Sequence, residues 1–231
     1  EGELMYTLLL IIFSMIISLI LIPIVIKVSH KLGIVDKPNF RKIHTKPVSV
    51  LGGTTILLSF LLGIWLGHPI ETEVKPLVIG AVLMYLVGLI DDIYDLKPIL
   101  KLFGQVVASL VVVYYGVTID FISLPIGPTI HFGIFAIPIT VIWIVAITNA
   151  INLIDGLDGL ASGVSMIALI TIGFIAILQA NVFIIMICSV LIGSLLGFLC
   201  FNFHPAKIFL GDSGALMIGF IVGFLSLLGF K

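Results

Sequence analysis

Residues 76–95 read PLVIGAVLMYLVGLIDDIYD, an apolar run that ends without a break on two adjacent carboxylates and a third three residues later. A helix on the surface of a soluble protein alternates apolar and polar faces, whereas this run is apolar all round, as in a buried or membrane-crossing helix. Composition decides between the two. The 231-residue chain is 61% hydrophobic and 10% charged, against about 45–50% apolar and about 25% charged in a soluble domain. No water-soluble surface can be built from that mixture, and the same kind of run recurs along the chain.

Windows of about 17–25 apolar residues predict spans at Thr7–Ile26, Val50–Leu66, Pro76–Ile90, Leu102–Ile119, Phe135–Ile151, Leu160–Leu178, Val182–Phe201 and Ala215–Phe230. The expected fold class is all-α, a polytopic transmembrane helical bundle of about eight spans forming one domain over residues 1–231. The first run is too long for a cleaved signal segment and should remain as a span. Cys188 and Cys200 lie in apolar stretches without a CxxC pair and are expected to be unpaired packing residues. A formal net charge of −1 excludes the broad basic footprint of a nucleic-acid binder.

Connections of two kinds alternate. Segments 27–49, 91–101, 152–159 and 202–214 are rich in ionisable or amide groups, and the others are bland. Two spans separate each polar connection from the next, so parity places all four on one side of the membrane. Lys27, Lys31, Lys37, Arg41, Lys42, Lys46, Lys97, Lys101 and Lys207 fall on that side, and Lys75 and Lys231 on the other. The bias of basic residues toward the inner face predicts that the polar side is cytoplasmic. On the opposite side, Ile119, Phe121, Ile130 and Phe132 flank Pro125-Ile126-Gly127-Pro128, which predicts a small hairpin.

Asp91, Asp92 and Asp95 follow an apolar span directly. Carboxylates at a membrane boundary resist dehydration unless a cation, a basic partner or water compensates them, so they mark function. Asn149, Asn152, Asp155 and Asp158 recur at a spacing of three, which lines one side of a helix or tight helical turn. Gly156 and Gly159 beside them allow close backbone approach to a phosphate or nucleotide. Asn202 closes one span, and Asp212 precedes the next between small residues. Hard cations such as Mg2+ take oxygen ligands, commonly one or two carboxylates with the remainder from phosphates and water; Asp212 with Asn152 or Asp155 would satisfy that demand. The strip from Val35 to Pro47, which includes Arg41, His44 and Lys46, is basic and suits a pyrophosphate, a lipid phosphate or anionic headgroups. Acids, amides and a cationic rim on one face, with no Walker loop and no His/Cys metal spacing, indicate metal-assisted phosphate chemistry. A CDP-alcohol phosphotransferase-like enzyme and a cation-coupled transporter are the rival readings.

Four motifs carry a family resemblance: D-x-P-N-x-R-K-x-H-x-x-P at Asp36–Pro47, Asp91-Asp92-x-x-Asp95, N-A-x-N-L-x-D-G-L-D-G-L at Asn149–Leu160, and P-A-x-I-F-x-G-D-x-G at Pro205–Gly214. In order and spacing they resemble the polyprenyl-phosphate N-acetylhexosamine-1-phosphate transferases, most of all the branch that makes the teichoic-acid linkage unit. That resemblance implies transfer of N-acetylglucosamine 1-phosphate from UDP-N-acetylglucosamine to undecaprenyl phosphate, with release of UMP, at the first step of wall teichoic acid synthesis. It further implies a multi-pass protein of the bacterial cell membrane and Mg2+ as cofactor, with Mn2+ as a substitute and a homodimer as a possible assembly.

Among the residues, it implies Asp212 and Asn152 as metal contacts, and Asp91, Asp92 and Asp95 as catalytic acids, of which Asp91 and Asp92 orient or deprotonate the lipid phosphate. Asp155, Asp158, Lys101, Asn149, Asn202, Lys46, Arg41 and His44 are the implied substrate contacts. The family has a further inner loop with a histidine-rich motif and two or more later spans, so residues 1–231 are expected to be part of a longer protein and weakly active or inactive by themselves.

Overall fold

The computed structural model describes residues 2–36, 47–69, 71–123 and 127–229. Eight helices carry the described chain: α1 (Gly2–Leu32), α2 (Gly52–Gly67), α3 (Val74–Tyr94), α4 (Pro98–Tyr114), α5 (Ala136–Ile154), α6 (Leu160–Leu178), α7 (Val182–Asn202) and α8 (Gly211–Gly229). Each coincides with a predicted span. Six are long and apolar enough to cross a membrane, while α2 and α4 are shorter apolar helices of 16 and 17 residues. The protein is a multi-pass, all-α membrane bundle.

Helix α8 lies at its centre, packed against α3, α5, α2 and α6, and α7 packs against α1, α6 and α2. Leu216, Ile218, Phe220, Phe224 and Leu225 of α8 are fully buried. The outer helices turn apolar side chains outward: Ile12, Ile16, Ile20 and Ile24 of α1 recur every fourth residue and are all exposed, the stripe a helix offers to lipid.

Short strands complete the fold. β1 (Val35–Asp36) pairs antiparallel with β2 (Val48–Ser49), and β3 (Phe121–Ser123) pairs with β4 (Thr129–His131) in register Ile122↔Ile130. The second pair is the hairpin expected from the proline-rich turn. Cys188 is buried and Cys200 exposed, and neither is in a disulfide.

The helix ends differ from the sequence reading in a consistent direction. α3 runs on through Asp91 and Asp92 to Tyr94, α5 includes Asn152, and α8 begins at Gly211 so that Asp212 is in its first turn. These polar residues occupy terminal turns of helices, where the backbone is ordered, and not the connections. α4 starts at Pro98, four residues earlier than expected, because Lys97 is extended and Pro98 opens the helix, a position proline favours.

Two glycines let the central helix come close. A side chain on Gly88 of α3 would meet the backbone of Asp212 and Ser213, and one on Gly211 would meet the Val50 carbonyl oxygen and the Asp92 carboxylate. Gly211 also has φ +74°. Gly88→Ala is expected to push α3 from the start of α8 and cost about 1–3 kcal/mol, the usual scale for overpacking. Thermal unfolding in detergent checks this, and an unchanged midpoint would count against the close approach.

Candidate active site

Four helices bring polar groups to one end of the bundle. Asp91 and Asp92 come from the last turn of α3, Lys101 from the first turn of α4, Asn152 from the last turn of α5 and Asp212 from the first turn of α8. The Lys101 ammonium donates to Asp91 Oδ2 at 2.8 Å, Asp212 Oδ1 at 3.1 Å and Asn152 Oδ1 at 3.0 Å. Asn152 Nδ2 donates to Asp212 Oδ1. Asp91 is anchored through its other oxygen, which accepts from Leu96 N at 2.8 Å.

Asp92 has a different set of partners. Its two oxygens accept the backbone N–H groups of Asp212 at 2.8 Å and Ser213 at 3.0 Å. The first four N–H groups of a helix lack intrahelical acceptors, and a carboxylate there also meets the positive end of the helix dipole. Asp92 therefore caps α8 from a neighbouring helix and fixes the backbone that carries Asp212.

Asp155, just past the end of α5, is partly buried and faces the same acids. Burial, with the Asp212 and Asp92 charges behind it, raises its pKa to about 8. A carboxyl group whose pKa is higher folded than unfolded takes up protons on folding. In metal-free protein its contribution to stability should grow as pH falls from about 8 toward the ordinary carboxylate range. Asp155→Asn should flatten that rise and make the protein more stable than wild type at pH 9; equal pH profiles of the two melting temperatures would refute the assignment.

The remaining predicted residues are placed as follows. Asn149 exchanges hydrogen bonds with Gln105, giving from Nδ2 at 2.6 Å and receiving at Oδ1 at 3.2 Å, and so ties α5 to α4. Asp158 Oδ2 holds His204 Nδ1 at 2.9 Å and accepts from Ala206 N at 3.1 Å. Asn202 is buried and bridges Gly159 N (3.0 Å) to the Ile208 carbonyl (2.9 Å). Asp95 is exposed at the left-handed C-cap of α3, where its backbone N–H donates to the Asp91 carbonyl at 2.8 Å. Arg41, His44 and Lys46 lie outside the described residues.

Of the three-residue ladder, then, Asn152 enters the cluster and Asp155 borders it. Asn149, one turn earlier in α5, pairs with Gln105, and Asp158 anchors a loop because the helix ends at Ile154 and its face does not continue through the turn.

Sequence reasoning missed Gln105, Ser49 and the backbone weave around Asp212. Phe209 N donates to the Ser49 carbonyl at 2.8 Å, Gly52 N to the Phe209 carbonyl at 3.0 Å and Gly53 N to the Leu210 carbonyl at 2.9 Å. These bonds lock the approach to Gly211-Asp212 against the start of α2. Gln105 alone left a signal, as an amide in a largely apolar helix, one turn after Lys101.

Among the described residues no three of His, Cys, Asp and Glu form a ready-made metal cage. The donor chemistry suits a hard cation nonetheless. Asp91, Asp212 and Asn152 offer three oxygens that already surround a positive charge, and Mg2+ is usually held by only one or two carboxylates with phosphate and water completing its shell.

Residues 75–230 match the family model described as glycosyl transferase family 4. The chain belongs to glycosyl transferase family 4. It is similar to a "Probable undecaprenyl-phosphate N-acetylglucosaminyl 1-phosphate transferase" of Bacillus subtilis, 42% identical over 94% of this chain and 62% of the relative. Similar too are a phospho-N-acetylmuramoyl-pentapeptide-transferase of Enterococcus hirae, at 32% identity over 84% of this chain and 64% of the relative, and a putative UDP-N-acetylglucosamine–dolichyl-phosphate N-acetylglucosaminephosphotransferase of Sulfolobus acidocaldarius, at 31% over 95% and 70%. The chain thus spans less than two thirds of the length of the first two. In glycosyl transferase family 4 terms, the matched stretch contains Asp91, Lys101, Asn152 and Asp212.

Proposed function

We propose that this protein transfers N-acetylglucosamine 1-phosphate from UDP-N-acetylglucosamine to undecaprenyl phosphate, releasing UMP, and starts wall teichoic acid synthesis in a bacterial cell membrane. The observation that carries the reading is the meeting of Asp91, Lys101, Asn152 and Asp212 from four helices at one end of the bundle. The acids sit on terminal turns of α3 and α8, which favours chemistry at the membrane surface over a transporter's mid-membrane site. The bias of basic residues supports a cytoplasmic position for that end.

An oxygen of the lipid phosphate attacks the phosphorus that carries the sugar; a new P–O bond forms, and the bond to UMP breaks. Asp212 and Asn152 would hold Mg2+, or Mn2+, which when bound neutralises charge on the diphosphate. Asp92 keeps Asp212 in register by fixing its backbone. Asp91 steadies Lys101, whose charge serves the phosphate oxygens. A phosphate monoester with a second pKa near 6 is largely deprotonated at neutral pH, so no side chain need act as an obligate base. Asp155 borders the nucleotide side.

In this scheme the side chains contribute positioning and charge neutralisation, the main levers of phosphoryl transfer. The test is radiolabel transfer from UDP-N-acetylglucosamine to undecaprenyl phosphate in membranes carrying the full-length protein. Label should enter the lipid with Mg2+ and not with a chelator. Transfer from a muramoyl-pentapeptide donor instead would move the substrate assignment to the other branch.

A further inference from the structure

An ammonium group has three N–H donors and no acceptor. Lys101 uses all three on the cluster, at 2.8 Å to Asp91, 3.1 Å to Asp212 and 3.0 Å to Asn152. Two of these three oxygen partners, Asp212 and Asn152, are the groups assigned above to the divalent ion. In this arrangement Lys101 has no donor left for a phosphate, and the Oδ1 atoms of Asp212 and Asn152 already face a cation. A divalent ion cannot take the Oδ1 atoms of Asp212 and Asn152 while Lys101 stays on them, because two cations sharing one carboxylate oxygen repel.

Charge balance leaves room for the second cation. Among the described residues, Asp91 and Asp212 both contact one ammonium, whose side chain is 16% exposed, and Asp92 lies against the Asp212 backbone. Asp91 is the one partner outside the proposed metal set. It is held independently by Leu96 N, so it can keep Lys101 nearby after the other two contacts are lost.

We propose that Lys101 is a tethered placeholder cation, which fills the Asp212–Asn152 oxygen set until a divalent ion displaces it, pivots on Asp91 and frees its N–H donors for a phosphate oxygen. The metal and the lysine then compete for one site, and arrival of the ion is what makes the lysine available to the reactants. This inference rests on the metal assignment of the proposed function, and the experiment separates the two.

Mn2+ binding to the metal-free, full-length protein in detergent is followed by electron paramagnetic resonance, with wild type, Lys101→Met and Asp212→Asn. Lys101→Met should bind Mn2+ roughly tenfold or more tightly than wild type, since a competing charge is gone, and Asp212→Asn should lose the site. Equal or weaker binding by Lys101→Met, with Asp212→Asn still losing the site, overturns the placeholder and leaves the metal assignment standing. If no binding depends on Asp212, the metal assignment falls and the placeholder with it.

A second measurement needs no variant at position 101. In wild type, labelling of the Lys101 amine by an acylating reagent, read by mass spectrometry, should accelerate severalfold when Mg2+ is added, while Lys75 and Lys97 keep their rates. An unchanged or slower Lys101 rate overturns the proposal.

Discussion

Asp212→Asn should reduce sugar-phosphate transfer by at least about a hundredfold, because a metal contact and its charge neutralisation commonly supply several kcal/mol of transition-state stabilisation. The substitution is nearly isosteric. The remaining amide oxygen can still accept from Asn152, and the Asp91–Lys101 pair at 2.8 Å is untouched. The fold should therefore survive, with a melting temperature close to that of wild type in a chelator. Added Mg2+ should stabilise wild type by mass action and leave the variant unchanged. Wild-type turnover by Asp212→Asn, together with an undiminished response to Mg2+, would remove Asp212 from the metal site.

Asp92→Ala should act through the fold. The carboxylate satisfies two N–H groups at the start of α8, and each hydrogen bond to a charged acceptor is worth about 1.5–3 kcal/mol. Removing both leaves unpaired donors at the head of the most central helix, so the expected loss is about 3 kcal/mol or more. Activity should fall along with the folded fraction, and Mg2+ should not restore it. Asp92→Asn keeps one acceptor oxygen and should be milder in both respects. A well-folded, fully stable Asp92→Ala that is inactive would instead place Asp92 among the groups that touch substrate.

The contrast between neighbours Asp91 and Asp92 bears on how such sites are read. In the sequence they are a pair of equivalent acids ahead of a third at Asp95. Consecutive helical residues point about 100° apart, and that rotation turns Asp91 toward Lys101 and Asp92 toward the α8 backbone. Asp95 lies past the helix in a left-handed conformation (φ 52°), exposed. Adjacency in the chain marked the place and said little about the roles.

The amides make the same point. Asn149, Asn152 and Asn202 look alike as polar residues beside apolar runs, yet one locks α5 to α4, one joins the charged cluster and one bridges two loops. Their partners are 44, 51 and 43 residues away in sequence (Gln105, Lys101 and Gly159). Local pattern carries no information on such pairings.

What the sequence determined by itself was whatever depends on runs and parity. Apolar stretches of spanning length set the class and the number of helices, since backbone polar groups in lipid must be satisfied within the segment. The alternation of polar and bland connections required Asp91, Lys101, Asn152 and Asp212 to emerge on one side. What only the tertiary structure decided was which of those groups touch: the close approach of α3 and α8 at Gly88, the cap that Asp92 places on α8, and the convergence of three oxygens on one ammonium. Those contacts join helix ends far apart in the chain, and their distances are fixed by packing around α8, where a few ångströms separate an ion site from a solvated acid.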